Sequence, residues 1–291
     1  MADILIIGGG PAGVSAALYT ARAGIKTKII YKDTGALCKA ERVDNFYGTL
    51  GIAGYDLVMK GLAHATEVGA EVITGEVVKI EQVYEGDLQF IVETTDTKHS
   101  AKALLLATGA THSAPRIPGL ATYEGKGVSY CALCDAFFYR GKDVAVLGHG
   151  QYALSEAREL LPLVKSLTLL TNGRELEAPF PPEVIVRKEK IHEVIGEKRL
   201  TSIVLEPNSE TLPISGLFIA HGTADATSLA RKLGALTENN AVLTDKNMET
   251  NIPGLWAAGD CTGGMKQIAK AVYEGAKAGT DIVRWLRGAN K

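Results

Sequence analysis

Two stretches of the chain carry the same succession of apolar and small residues, about 140 positions apart. In the first, an apolar run at 4–7 leads into Gly8-Gly9-Gly10-Pro11-Ala12-Gly13, a small-residue segment at 14–23, and a second apolar run near 26–31. In the second, apolar positions 144–147 lead into Gly148-His149-Gly150-Gln151-Tyr152-Ala153, a helical pattern to about 161, and an apolar run at 167–170. Each predicts strand, helix, strand, the βαβ unit whose crossover is right-handed almost without exception. Between them, 72–80 and 88–94 alternate in the manner of meander strands, and 103–107 is an apolar strand ending at Thr108-Gly109. Further on, 217–219 and 255–258 are short apolar strands. The latter ends in Gly259-Asp260, ahead of a long helix over about 266–287. Proline and turn residues at 115–119 and 244–253 predict hinges. The expectation is an α/β chain with two Rossmann-like domains and no solenoid repeat.

Composition fits that picture. At roughly 150 residues per domain, 291 residues make about two domains, each with a sizeable core. Lys and Arg number 31 against 33 Asp and Glu, a net charge of -2, so no overall field attracts nucleic acid or an anionic membrane. No apolar run approaches the ~18 residues of a membrane span. The run at 3–7 enters the glycine cluster directly and leaves no room for a signal peptide, so a cytoplasmic location is expected. Four cysteines, Cys38, Cys131, Cys134 and Cys261, are too few for a disulfide scaffold.

Two motifs carry candidate chemistry. The pattern Gly8-x-Gly10-x-x-Gly13 supplies a tight turn, close backbone approach to a pyrophosphate, and close packing of helix on strand. Taken alone it also describes a structural turn, but its place between strand and helix favours a dinucleotide site. The acidic residue that would hold ribose hydroxyls is not at Tyr31 or Lys32; Asp33 is the candidate substitute. The pair in Cys131-Ala132-Leu133-Cys134 has the spacing of a redox disulfide. Zinc would need a second spaced pair, which the chain lacks, and inert core cysteines are the remaining alternative. Asp135 is either a general acid for a departing thiolate or a helix-terminal charge.

With these residues in view, the chain resembles the low-molecular-weight thioredoxin reductases of the pyridine nucleotide disulfide oxidoreductase superfamily. The resemblance spans the chain. It rests on the first glycine cluster, Val43-Asp44-Asn45-Phe46, Ala107-Thr108-Gly109, Tyr130-Cys131-Ala132-Leu133-Cys134-Asp135 and Ala257-Ala258-Gly259-Asp260. It implies an FAD-binding domain formed by 1–113 and 242–291, and an inserted NAD(P)-binding-like domain at 114–241 that carries the C-x-x-C. By the same resemblance FAD is held by Gly8, Gly10, Pro11, Ala12, Gly13, Asn45, Thr108, Gly109, Gly259, Asp260, Gln267 and Ile268. Cys131 is then the thiol that attacks substrate and Cys134 the one nearest the flavin. Thioredoxin is the implied partner and a homodimer the implied assembly.

The departures from the family pattern bear on the electron donor. Gly35-Ala36-Leu37 stands where Gly-Gly-Gln is usual. In the second glycine cluster, His149 and Tyr152 are expected to add bulk at the mouth where a pyrophosphate would rest. Where NADPH-dependent members carry arginines for the 2′-phosphate, this chain has Thr171, Asn172, Gly173 and Glu177, with Arg174 and Glu175 close by. Together with Met248-Glu249-Thr250-Asn251-Ile252 and Gly259-Asp260-Cys261-Thr262-Gly263, this is similar to the ferredoxin-dependent flavin thioredoxin reductases. An acidic ferredoxin would seek a basic surface, for which 187–190 and Lys198-Arg199 are candidates, the alternative being a solvated face. Cys38 and Cys261 are expected to be small packing residues near the flavin. The rival expectations are an NAD(P)H-dependent reductase with a degenerate nucleotide site, a flavin dithiol oxidase that uses oxygen, and a flavin-binding regulatory module.

Overall fold

The N-terminal apolar run forms β1 (Ala2–Ile7), in which Ile4, Leu5 and Ile6 are wholly buried. A strand covered on both faces is read as an unbroken apolar run, not an alternating one. The computed structural model describes residues 1–85, 87–109, 117–130, 132–220, 226–239 and 241–288. The chain divides into two units, Met1–Thr111 with Asp225–Lys291, and His112–Ala224.

In the first unit β1 is followed by α1 (Pro11–Arg22), β2 (Thr27–Tyr31), α2 (Gly54–Glu67), β3 (Glu71–Thr74), β4 (Val77–Glu85), β5 (Asp87–Thr94) and β6 (Lys98–Leu106). β1 pairs in parallel with β2 and β6, and β2 with β3, while β4, β5 and β6 form an antiparallel meander. The expected single strand over 72–80 is therefore two. The Gly75 N–H donates to Tyr31 O at 2.9 Å, so the chain leaves the parallel sheet there and only the part beyond enters the meander.

The second unit contains β7 (Val128–Ser129), the helical turn α3 (Ala132–Asp135), β8 (Asp143–Leu147), α4 (Gln151–Leu160), β9 (Ser166–Leu170), β10 (Val184–Arg187), β11 (Ile191–Gly196), β12 (Leu200–Leu205), β13 (Glu210–Pro213) and β14 (Gly216–Ile219). Its parallel sheet runs β10-β9-β8-β14-β7, and β11-β12-β13 form a separate antiparallel sheet. Ala145, Leu147, Leu217 and Ile219 of the first sheet share one core with Ile203 and Leu205 of the second.

The chain returns to the first unit with α5 (Ala226–Lys232), β15 (Thr237–Glu238), β16 (Ala241–Val242), β17 (Leu255–Ala257) and α6 (Ile268–Leu286). β17 pairs in parallel with β6 and completes the seven-stranded sheet. The return at 225 comes earlier than the expected 242. The Ala226 N–H donates to Thr108 Oγ1 at 2.9 Å, and Leu229 and Ala230 are fully buried as α5 packs on β4 and β16, so these apolar side chains tie 226–232 to the first unit. Nor is 244–253 a hinge. Asp245 Oδ1 accepts the N–H groups of Asn247 and Glu249, and the Ala257 N–H donates to Met248 O, which pins the turn against β17.

α1 and α6 lie unusually close. A Cβ added at Gly275 would stand 2.1 Å from Ala12 O, and one at Gly279 would stand 2.7 Å from Ala16 O. The glycines of α6 are thus there to admit the α1 backbone. Beneath this contact the indole N–H of Trp256 donates to Asp281 Oδ2 at 3.1 Å, satisfying two buried polar groups at once.

Candidate active site

The first glycine loop is shaped by contacts that no side chain could share. Gly8 has φ 118°, and a Cβ there would stand 2.2 Å from Ala107 O; one at Gly13 would stand 2.0 Å from Gly8 O. Gly10, the residue before α1, is different, because a Cβ there meets nothing within 4 Å. Pro11 occupies the first turn, where its missing N–H costs no hydrogen bond. Among the described residues no side chain caps this helix terminus and its first turn holds no acid, so its orphan N–H groups suit an anion. A mostly apolar groove continues from Gly9, Gly10 and Val14 past Leu37 and Phe46 to Ile268. At its side Asn45 Nδ2 donates to Gln267 Oε1 at 2.9 Å, which joins two residues 222 positions apart in sequence. The open Gly10 cradle and the apolar groove fit a dinucleotide with a flat ring system, and FAD is the group they suit.

The C-terminal contribution is more elaborate than its Gly259-Asp260 motif suggests. Gly259, at φ 89°, brings its backbone against α1, where an added Cβ would lie 2.9 Å from Ala12 Cβ. Its N–H donates to Glu274 Oε2 at 2.8 Å, and Lys270 Nζ donates to Gly259 O, Thr262 Oγ1 and Glu274 Oε2 at 2.9, 2.9 and 3.1 Å. This nearly buried ion pair holds the 3-10 turn Asp260–Thr262 in place and was not singled out from the sequence. Its only sequence signal is the i, i+4 spacing of Lys270 and Glu274, common on solvated helices. Cys261 in the same turn donates to Leu106 O and Ala258 O, and burial pushes its thiol up to about 12, so it is a packing residue. Cys38 is less buried, and its thiol donates to Gly35 O at 2.9 Å. Asp33 Oδ1 accepts the Gly35 N–H at 2.8 Å, so this carboxylate shapes its own turn. Thr108 Oγ1 is already an acceptor for Ala226, and Gly109 has φ 79°.

In the second unit, Cys131 lies outside the described residues and so does the side chain of Cys134, whose backbone is in α3. The segment around them is braced at three points. Ser129 Oγ donates to Asp135 Oδ2 at 2.7 Å, the Ala132 N–H donates to Glu156 Oε2 at 2.6 Å, and the Tyr152 hydroxyl donates to Tyr130 O at 3.3 Å. Tyr152 is therefore not at the mouth of the second glycine loop. It is 2% exposed on the face of α4 that also buries Glu156 and Leu160, the i, i+4, i+8 positions of one helical stripe.

The second glycine loop repeats the first in backbone and differs in what faces it. Gly148 is as tightly held as Gly8, since a Cβ there would stand 2.4 Å from Ala220 O. Gly150 precedes α4 as Gly10 precedes α1, yet a Cβ there would lie 3.3 Å from Glu177 Oε2. His149, almost fully buried, has Nδ1 3.5 Å from the same carboxylate oxygen. Beyond β9, the Asn172 side-chain carbonyl accepts the Ile191 N–H at 2.8 Å, and Glu175 pairs with Lys188. In the basic stretch at 187–190, Arg187 is paired with Glu189 and Glu210, both carboxylates held below their usual range by the guanidinium.

A family model described as pyridine nucleotide-disulphide oxidoreductase matches residues 2–275. A thioredoxin reductase of Listeria innocua is 33% identical, the match covering 98% of this chain and 93% of that one. Among solved structures, the atypical thioredoxin reductase TRi of Desulfovibrio vulgaris Hildenborough is 37% identical, with 99% of each chain covered and a TM-score of 0.91. A ferredoxin-flavin thioredoxin reductase from Clostridium acetobutylicum is 31% identical, with 99% of this chain and 98% of that one covered at a TM-score of 0.73. The glycine cradle, the paired Rossmann-like units and these full-length likenesses have one common account: the chain belongs to the pyridine nucleotide-disulphide oxidoreductase family, as an FAD flavoprotein of its thioredoxin reductase group.

Proposed function

We propose that the protein reduces a thioredoxin disulfide through Cys131 and Cys134, and that its electrons come from a reduced ferredoxin instead of NADPH. The observation that carries the donor reading is the contrast between the two glycine loops. Gly10 opens onto free space, whereas Gly150 faces the Glu177 carboxylate. The strand end beyond β9 offers Thr171, Asn172 and Gly173, none of which can make the bidentate contacts by which guanidinium groups grip a phosphate. The likeness to a ferredoxin-flavin thioredoxin reductase supports the same reading.

FAD, when bound, can take up single electrons and pass on a pair. Gly8, Gly10, Pro11, Ala12 and Gly13 would hold its pyrophosphate, with Thr108, Gly109, Gly259 and Asp260 beside it and Asn45, Gln267 and Ile268 lining its ring end. The electron pair and two protons convert the Cys131-Cys134 disulfide to the dithiol. The Cys131 thiolate then attacks one sulfur of the thioredoxin disulfide and expels the other as a thiol. Cys134 attacks the mixed disulfide at Cys131, restores the intramolecular disulfide and releases the second thioredoxin thiol. Asp135, whose carboxylate accepts a hydrogen bond from Ser129, would be the acid that protonates a departing thiolate. The functional form is a homodimer in the cytoplasm. Steady-state reduction of thioredoxin, driven in parallel assays by reduced ferredoxin and by NADPH, tests the reading. Turnover with ferredoxin alone is expected, and turnover with NADPH alone would restore the nicotinamide-dependent alternative.

A further inference from the structure

We infer that Glu177 is the residue that closes the second glycine loop to dinucleotides, by placing its carboxylate where a pyrophosphate would sit. The inference rests on the ferredoxin reading and deepens it from a missing set of contacts to an added barrier. Gly10 and Gly150 are counterparts: each follows a parallel strand, each is extended or near-extended, and each is the last residue before a helix with no side-chain cap. In such loops the pyrophosphate stands over the helix terminus and is drawn there by the N–H groups of the first turn. Over Gly10 no described atom lies within 4 Å of the position of a Cβ. Over Gly150 the corresponding space holds Glu177 Oε2, 3.3 Å from the position of a Cβ.

Two contacts with His149 bring Glu177 to the loop. Its own N–H donates to His149 O at 2.9 Å, which brings residue 177 back against the loop. Its Oε2 then lies 3.5 Å from His149 Nδ1. His149 occupies the middle of the glycine loop, so one residue anchors the backbone of Glu177 and stands beside its carboxylate. The side chain of Glu177 is 65% exposed while that of His149 is 11% exposed, so the carboxylate stands at the solvent mouth and the imidazole beneath it. An incoming pyrophosphate meets an anion already in the favourable field of the helix terminus. It must displace that anion and remain near it, and like charges at such distances repel.

The test compares the FAD-loaded wild type with Glu177→Ala and Glu177→Gln. ADP serves as a pyrophosphate probe without a nicotinamide ring, with NADPH and NADH as second and third ligands, and binding is read by calorimetry. Circular dichroism and flavin absorbance serve as checks of folding. Both variants are expected to bind ADP at least tenfold more tightly than the wild type. An unchanged ADP affinity in Glu177→Ala would overturn the role of Glu177 and leave the donor reading intact. Tight NADPH binding and flavin reduction in the wild type would defeat the donor reading itself.

Discussion

The Glu156 carboxylate, 1% exposed, accepts the backbone N–H of Ala132 at 2.6 Å, so a buried acid on α4 holds the turn that carries the C-x-x-C. A buried N–H that loses its acceptor costs about 1–3 kcal/mol. Glu156→Ala is expected to lower stability toward denaturant by that order and to slow thioredoxin reduction. Glu156→Gln, which keeps an acceptor oxygen, should recover most of the stability. Equal stability of Glu156→Ala and the wild type would show that this bond contributes nothing.

The two ends of the first glycine cluster should respond differently to one added methyl. At Gly13 the methyl collides with Gly8 O at 2.0 Å, an overlap only a backbone shift can relieve, costing about 1–3 kcal/mol or more. At Gly10 the methyl enters open space. Gly13→Ala should therefore fold poorly and carry little flavin. Gly10→Ala should fold normally yet bind FAD about tenfold more weakly, a loss of about 1.4 kcal/mol. Thermal melts of flavin-stripped protein and titration with FAD separate the two effects.

Asp260 opens the 3-10 turn that the Lys270–Glu274 pair holds against Gly259. Asp260→Ala is expected to shed flavin on gel filtration while its far-ultraviolet circular dichroism stays that of the wild type. Full flavin retention would remove Asp260 from the cofactor site.

The order of the thiols has a direct chemical signature. With Cys134 replaced by Ser, the mixed disulfide between Cys131 and thioredoxin cannot be resolved and should accumulate on a non-reducing gel. Cys131→Ser should trap no such species. Trapping through Cys134 instead would reverse the assignments.

Burial pushes Cys261 up to about 12 from its ordinary value of 9.0, so the folded state keeps a proton that the unfolded state releases above about pH 9. The unfolded state then binds fewer protons, and stability falls with rising pH by up to about 1.4 kcal/mol per unit between those values. Below pH 9 the group contributes no slope. Cys261→Ala should flatten the decline above pH 9, as read by urea midpoints. An identical slope in the variant would mean that other groups cause it.

What the sequence made legible was local. Gly8, Gly10 and Gly13 declare a strand, a turn and a helix within ten positions, and the pattern recurs at Gly148 and Gly150. β10 to β13 and α2 were not read, since their short, mixed apolar runs acquire meaning only when packed: Ile203 and Leu205 are core residues because Leu217 and Ile219 lie against them. Tyr152 looked like bulk at a binding mouth because its neighbours in sequence are loop residues. Helical phase turns it instead toward Glu156 and the interior. Glu156 and Glu274 carry no such signal, because an acidic residue on an amphipathic stretch is usually solvated, and Glu177 reads in sequence only as a missing arginine. Only tertiary placement distinguishes the two that are buried from the one that faces Gly150.

The electron donor is the central claim, and anaerobic bleaching of the bound flavin measures it most directly. Reduced ferredoxin, NADPH and NADH would each be added in separate cuvettes to the oxidised holoprotein, and absorbance followed in a stopped-flow instrument. Reduced ferredoxin should bleach the flavin rapidly, at a rate that falls as salt screens the encounter with an acidic donor. NADPH at roughly millimolar concentration should leave it yellow, given the loss of several charge-assisted contacts to its 2′-phosphate each worth ~1.5–3 kcal/mol, and so should NADH, whose pyrophosphate meets Glu177 over Gly150. Rapid, saturable bleaching by NADPH, with ferredoxin inert, would contradict the claim.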